Sequence, residues 1–240
     1  MAPPPKTYRN QLLNLLPPRD LALVAPKLVY RTLALRHRIE EASRPIRRVY
    51  FIESGFASTV ANGGGDRQVE VGLTGREGVT GTAVLLGSDR SPHATYTQLA
   101  GAAYCMDAAD FRALAAENAV FAGLMLKFAH VLMVQTAQAA LSNGRARLEE
   151  RLARWVLMAQ DRIDGDDVPL THEFLSIMLG VRRAGVTVAL KALGSRGLVA
   201  SRRGNVIVVD RHGLVKVAGR SYGVPEKEYQ RLFGAASLAA

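Results

Sequence analysis

The chain has 240 residues, 48% of them hydrophobic and 22% charged, with a formal net charge of +10. That apolar share supports real cores in one large or two modest domains and excludes wholesale disorder, and a single cysteine, Cys105, excludes a disulfide scaffold, a cysteine-based zinc finger and a four-thiolate iron–sulfur sensor. Residues 1–6 lack the apolar stretch of a signal peptide and no run of about 18 apolar residues occurs, so a soluble, cytoplasmic protein without a membrane span is expected.

Residues 1–27 read as a Pro-rich arm, a short helix through Leu12, Leu13, Leu15 and Leu16 that Pro17-Pro18 ends, and a second through Leu21, Val24 and Leu28. From Val29 to Asp107 the pattern changes to short apolar or alternating runs, 48–53, 55–60, 68–73 and 94–99, punctuated by glycine. Asn62-Gly-Gly-Gly-Asp66 between the second and third predicts a hairpin turn. With no helix following it, Gly63-Gly-Gly65 is a turn rather than a phosphate cradle. Short strands at this spacing, without intervening helices, predict an antiparallel barrel or roll.

Across 118–144 the only full charge is Lys127. The apolar positions make more than one stripe, with Leu124, Phe128 and Val131 on one and Val120, Leu132 and Met133 near others. A helix apolar around most of its girth is buried on most sides, and one β-roll covers only one side of a helix roughly 40 Å long. A second copy of the helix resolves this, giving a two-fold homodimer whose seam holds Leu124, Phe128 and Val131, with Gln135 and Gln138 setting register. The competing reading is the core helix of a monomer. Lys127, His130, the two glutamines and Asn143 weigh against a membrane helix, and Asn143-Gly144 reads as a hinge. Residues 147–159 then resume as an amphipathic helix that buries Leu148, Leu152, Trp155 and Val156 and exposes the charges at 149–151 and 154. A loop at 164–167 follows.

The charge is unevenly spread. Residues 182–220 carry nine Lys/Arg against Asp210 alone, so 39 residues hold +8 of the total. Thr171 is a good N-cap, with Glu173 in the first turn. Ser176 is small, as a close helix crossing requires, and Gly180 allows a sharp turn. Phe174, Leu175, Leu179, Val181, Val186, Leu190 and Leu193 supply an interior between two short helices. The second helix places Arg183, Thr187 and Lys191 at i, i+4 and i+8 on one polar stripe, the pattern of a helix that reads a DNA groove. Gly185 in that helix points to close approach by backbone or DNA, or to a glycine tolerated in packing. Residues 199–201 and 206–209 then read as two strands around Arg202-Arg-Gly-Asn205, a wing whose Arg202 and Arg203 meet phosphate. Candidate DNA contacts are therefore Thr171, Arg182, Arg183, Gly185, Thr187, Lys191, Arg202 and Arg203.

Val49-Tyr-Phe-Ile-Glu-Ser-Gly55, Val71-Gly-Leu-Thr-Gly-Arg-Glu-Gly78, Leu170-Thr-His-Glu-Phe-Leu175 and Met178-Leu-Gly-Val-Arg-Arg183 resemble the cyclic-AMP receptor protein / fumarate-and-nitrate-reduction (Crp/Fnr) family of transcription factors over residues 10–220. The resemblance implies an α+β fold: a cyclic-nucleotide-binding-like β-roll sensor with N-terminal helices (1–117), a dimerisation helix and hinge (118–144), a winged helix-turn-helix DNA-binding domain (145–222) and a C-terminal tail with a short helix (223–240). It also implies a homodimer on two-fold symmetric double-stranded DNA, contact with RNA polymerase, and a small-molecule effector in the roll that reorients the winged helices. The departures are specific. Where cyclic-AMP-binding members have a Gly-Glu pair and then Arg-Ser or Arg-Thr, this chain has Gly81-Thr82 and a region around Pro92-His93-Ala94. The ribose-binding acid and the aligned arginine are missing, so cyclic AMP is not expected to bind in the usual way. Gly81, Thr82, Arg90 and His93 are the candidate effector positions, with Arg90 either substituting for the lost arginine or lying in a solvated loop. The oxygen-sensing branch needs a cysteine cluster this chain lacks; a haem variant needs an axial ligand, for which His93 or the N-terminal arm are the options. No cofactor or metal is assigned. Members that read a GTGA-type half-site begin the recognition helix with Arg-Glu and carry another Arg five residues after the first; here Arg183, Ala184 and Val188 stand there.

Two other classes compete. One is a ligand-binding signalling module whose winged helix contacts protein, against which the clustered charge argues. The other is an enzyme, for which no Ser/His/Asp arrangement, metal-ligand pair, Walker loop or dinucleotide glycine motif is found.

Overall fold

The computed structural model describes residues 8–63, 68–202 and 204–234. The chain divides into two compact units, 1–57 with 74–129, and 58–73 with 130–240.

The first unit opens with helices α1 (Gln11–Asn14) and α2 (Pro18–Val24), followed by a single 3-10 turn. Asn10 pins this segment to the sheet: its Nδ2 donates to the carbonyls of Ile52 (3.0 Å) and Gly78 (2.8 Å), and its backbone N donates to Glu53 Oε1. Strands β1 (Val29–Leu33), β2 (Arg38–Glu40), β3 (Arg48–Asn62), β4 (Gln68–Thr74) and β5 (Ala94–Asp107) form one sheet in the order β1-β5-β3-β4, with β2 also beside β5. β1 runs antiparallel to β5 from Val29 opposite Cys105 to Leu33 opposite Gly101. The two runs expected at 48–53 and 55–60 are one strand. Gly55 does not end it but bends it, at φ +69°, where a Cβ would lie 2.3 Å from the Leu99 carbonyl oxygen. The turn foreseen at 62–66 falls largely outside the described residues.

One short helix interrupts the strand region, which the reading of 29–107 as strands alone did not include, and a second follows it. α3 (Thr82–Leu85) is introduced by Gly81 in the left-handed conformation, and α4 (Ala108–Glu117) follows β5 directly. The Phe111 ring of α4 lies tilted 6.3 Å from Phe51 and edge-on at 5.4 Å to Phe121, a buried aromatic cluster.

Helix α5 (Ala119–Arg145) carries the uncharged stretch, its residues up to 129 in the first unit and the rest in the second. It continues through Asn143-Gly144; the break falls at 146–147, before α6 (Leu148–Gln160). The hinge expectation is corrected accordingly, because Gly144 does not adopt the left-handed conformation by which a glycine ends a helix. An 18-residue window of α5 reaches a mean hydropathy of 1.5, long and apolar enough by composition to cross a membrane. Its polar groups are nonetheless engaged with the chain: Gln135 Oε1 accepts from the Leu73 backbone N at 2.6 Å, and Gln138 Nε2 donates to the Arg220 carbonyl.

The seam residues expected on α5 need correcting. Phe128, Val131 and Gln135 are buried by their own chain, at 2%, 3% and 4% exposure. The Phe128 ring fills the space over Gly78, where a Cβ would lie 2.1 Å from it. Leu124 and Gln138 are half-buried. What the helix presents outward is Leu126, Met133 and Leu141, at 50%, 66% and 55% exposure, with His130, Ala137 and Ala140 exposed between them.

In the second unit, the charges expected on the outside of α6 are not all there, since Arg154 is 7% exposed. Three short strands, β6 (Asp167–Pro169), β7 (Val199–Arg202) and β8 (Asn205–Val208), make an antiparallel sheet in the order β6-β8-β7. α6 and α8 (Arg183–Ser195) pack against it, while α7 (His172–Leu179) packs on α8 and α6, and α9 (Arg211–Ala218) on α6. α10 (Val224–Phe233) buries Tyr229 and Phe233.

Candidate nucleic-acid interface

The helix pair α7–α8 is fixed by local chemistry. Thr171 Oγ1 accepts from the Phe174 backbone N at 3.1 Å, so its hydroxyl is used in capping α7. Gly180 ends α7 at φ +61°, a left-handed conformation that glycine takes without a steric penalty, and the chain turns within two residues into α8. Leu175, Met178, Leu179, Val186, Ala189, Leu190 and Leu193 are buried between the helices and α6. Phe174 meets the Trp155 indole edge-on at 5.4 Å. The Arg151 guanidinium binds the Leu179 carbonyl and Asn143 Oδ1, closing the C-terminal end of α7; burial lowers its pKa from the ordinary arginine value.

This packing leaves α8 with one outward row. Arg182, Arg183, Ala184, Val188 and Lys191 are all exposed, Val188 at 67%. Arg182 is the N-cap residue; a guanidinium has no acceptor with which to cap the helix. Thr187 is different: its hydroxyl donates to the Arg183 carbonyl at 3.2 Å and lies 2.9 Å from His172 Nδ1, half-buried against α7. Gly185 faces inward, where an added Cβ would sit 3.2 Å from Leu148 Cδ2. Its smallness serves the crossing of α8 over α6, which is the packing alternative for this glycine.

The wing is the β7–β8 hairpin, with Arg202 paired opposite Asn205 and Gly204 at φ +82°. Arg202 is exposed; Arg203 lies outside the described residues. β6 adds a third strand that the sequence reading did not include, pairing Val168 with Val206. One member of the basic cluster is committed internally. Arg211 binds Asp161 Oδ1 at 2.6 Å and Tyr222 Oη at 2.8 Å. Burial, opposed by Arg211, raises the Asp161 carboxyl above its usual range.

Two contributors escaped the sequence reading. Val188 entered it only as a missing arginine, yet it is the most exposed apolar side chain on α8. A valine among polar positions on an otherwise charged stripe was the available signal, since an apolar side chain can contact a thymine methyl. His172 gave no signal, because its partner Thr187 lies 15 residues away.

The effector positions lie in the first unit and do not form one cluster of free groups. The Gly81 backbone N donates to Glu40 Oε1 at 2.8 Å, and Thr82 begins α3 half-buried. Burial raises the Glu40 carboxyl above its usual range, opposed by hydrogen bonds from Gly81 and Thr95. A buried carboxylate thus stands beside Gly81, supplied by β2 rather than by position 82. Arg90 is exposed and forks onto its neighbour Asp89 at 2.8 and 2.9 Å. The half-buried His93 donates its backbone N to Ser91 Oγ.

A profile of the Crp-like helix-turn-helix domain matches residues 150–217. No curated protein sequence matches the chain. Among solved structures, a protein of Eubacterium rectale assigned to the Crp/Fnr transcriptional regulators superposes with a TM-score of 0.67 at 16% identity, covering 86% of this chain and 97% of its own. A Crp-family transcriptional regulator from Thermus thermophilus gives 0.65 at 19%, covering 79% and 96%. The c-di-GMP-responsive global regulator of Xanthomonas campestris gives 0.62 at 17%, covering 79% and 98%. Residues 150–217 are a Crp-like helix-turn-helix domain, carried on a chain with the fold of the Crp/Fnr transcriptional regulators.

Proposed function

We propose that the protein is a sequence-specific, DNA-binding transcription regulator that acts as a homodimer on a two-fold symmetric site in the cytoplasm. The observation that carries this is the outward row of α8, in which Arg182, Arg183, Val188 and Lys191 project from a rigidly packed helix pair beside the exposed Arg202 of the wing. Cations at the ends of the row meet phosphates, while Arg183 and Val188 reach base edges, a guanidinium on guanine and a branched methyl on thymine. Ala184 and Val188 cannot supply the contacts made by glutamate and arginine in GTGA readers, so the half-site differs from GTGA. Selection of bound DNA from a random library tests the reading, which fails if no two-fold sequence emerges. RNA polymerase is the partner through which such a regulator acts, and the roll is its sensing part.

Two substitutions separate specific from general contacts. Arg183→Ala is expected to cost about 1–3 kcal/mol on the selected site and much less on random DNA, measured by fluorescence anisotropy; equal losses on both would make Arg183 a phosphate clamp. Arg202→Ala with Arg203→Ala is expected to weaken every DNA alike and to flatten the salt dependence, by about 0.9 in logarithmic slope for each phosphate no longer neutralised. An unchanged slope would remove the wing from the interface.

A further inference from the structure

On the first unit lies an open pocket of about 890 Å³ bounded by β2, the loop 41–47, the start of β3 and the start of α4, its wall joined to the effector positions through Glu40, which accepts from the Gly81 backbone N, and through Pro45, which bridges Arg90. Five arginines line it: Arg38, Arg44, Arg47, Arg48 and Arg112. Its acids do not balance them. Glu40 is turned to the Gly81 backbone N, Asp107 lies 3.5 Å from Arg48, and Glu41 is exposed at the rim. Among the described residues, Arg38, Arg44 and Arg47 make no side-chain hydrogen bond or ion pair.

Guanidinium groups gathered around one concavity repel one another, and an anion bound between them converts that repulsion into several charge-assisted hydrogen bonds. The start of α4 adds to the same field. Asp107 occupies its N-cap position but makes no side-chain cap bond, and only the Ala108 N–H at the mouth is taken, by the Arg47 carbonyl at 2.9 Å. The positive end of this ten-residue helix therefore faces the arginines. Ile39, Ile46 and Tyr50 give the pocket an apolar floor.

We propose that this pocket binds a small molecule bearing two or more phosphate groups. Its arginines come from β2, a loop, the start of β3 and α4, so they converge on a bound group from different directions. That suits tetrahedral, multiply charged phosphate better than a planar carboxylate, which one guanidinium fork satisfies. The volume lies in the range of small-molecule sites, roughly 300–1,000 Å³. The site is independent of the DNA-binding reading, since none of its residues belongs to the helix-turn-helix or the wing.

The test is calorimetric titration of the full chain with pyrophosphate, ATP and citrate. Pyrophosphate is expected to saturate one site per chain, and ATP to bind at least as tightly by adding contact with the floor. Arg44→Ala with Arg47→Ala, both exposed loop residues, should weaken binding at least about tenfold, the effect of losing charge-assisted bonds. Lys191→Ala with Arg202→Ala should leave it unchanged, which separates this pocket from the basic DNA surface. Absence of saturable binding by both phosphate probes, citrate binding as tightly as pyrophosphate, or loss of binding only in the Lys191/Arg202 variant would each overturn the proposal.

Discussion

Replacing Met133 with glutamate is expected to turn the protein from a dimer into a monomer at micromolar concentration, as measured by sedimentation equilibrium. Met133 is 66% exposed on α5, with Leu126 one heptad before it and Leu141 two turns after, both exposed as well. Leu126, Met133 and Ala140 are spaced by seven residues, as are His130, Ala137 and Gly144. These two rows alternate at intervals of three and four, the spacing of a coiled-coil seam. Small residues at 137, 140 and 144 let two backbones approach closely. In a two-fold pair the seam residue meets its own copy or a near neighbour. Two buried carboxylates there, without partners, cost at least about 3 kcal/mol, or more than a hundredfold in dissociation constant. Binding to a two-fold site should fall with it, while binding to a single half-site persists. A Met133→Glu protein that remains a dimer would place the interface elsewhere. The charged replacement at Val131 separates the two faces of the helix. Val131 is 3% exposed within its own chain, so Val131→Glu is expected to lower thermal stability instead of releasing a folded monomer.

That reversal of faces shows what a sequence pattern can and cannot convey. The helix-turn-helix was legible because its determinants are local: the Thr171 cap, the Gly180 turn and the apolar spacing from Leu175 to Leu193 all act within a few residues. The two-stranded wing was legible for the same reason. The long helix was legible as an element but not as a seam, since a helix apolar all around does not say which side the rest of its chain will cover. Phe128 faces inward because Gly78, fifty residues earlier in sequence, leaves room for its ring. Arg154 was read as an outward charge from a sound amphipathic pattern and is buried all the same. Gly185 carried a real signal, a demand for smallness, but only the structure identifies Leu148 as what approaches it. In the sensor positions the arrangement around Gly81 depends on Glu40, forty-one residues away on another strand.

Glu70 is the strongest case of such non-local chemistry, and its titration should be visible in the stability of the whole unit. An alternating strand, Gln68-Val-Glu-Val-Gly72, ordinarily turns its polar positions to water. Instead Glu70 is 6% exposed. Trp155 Nε1 donates to its Oε1 at 2.8 Å, and Ser58 Oγ donates to its Oε2 at 2.7 Å. Burial pushes its carboxyl from the ordinary 4.5 up to about 7, although the two hydrogen bonds and the charges of Arg154 and Arg162 pull the other way. The folded form therefore holds a proton that the unfolded chain releases between these two pH values. Stability contributed by the neutral acid is complete below pH 4.5, declines as pH rises toward about 7, and is flat above it. The total loss is about 3 kcal/mol from the linkage relation. Asp161, Glu226 and Glu40 are also raised by burial and add to the same downward trend, so the share belonging to Glu70 has to be read as a difference. Glu70→Gln isolates it: the amide oxygen can keep the Trp155 bond while the amide nitrogen donates to Ser58, so the packing survives without a titrating group. The variant is expected to match the parent at pH 4.5 and to exceed it by up to about 3 kcal/mol at pH 8, measured by urea unfolding across the range. Curves that stay parallel from acid to alkaline pH would mean that Glu70 is already ionised in the folded protein, held by Arg154 and Arg162 rather than neutralised by burial.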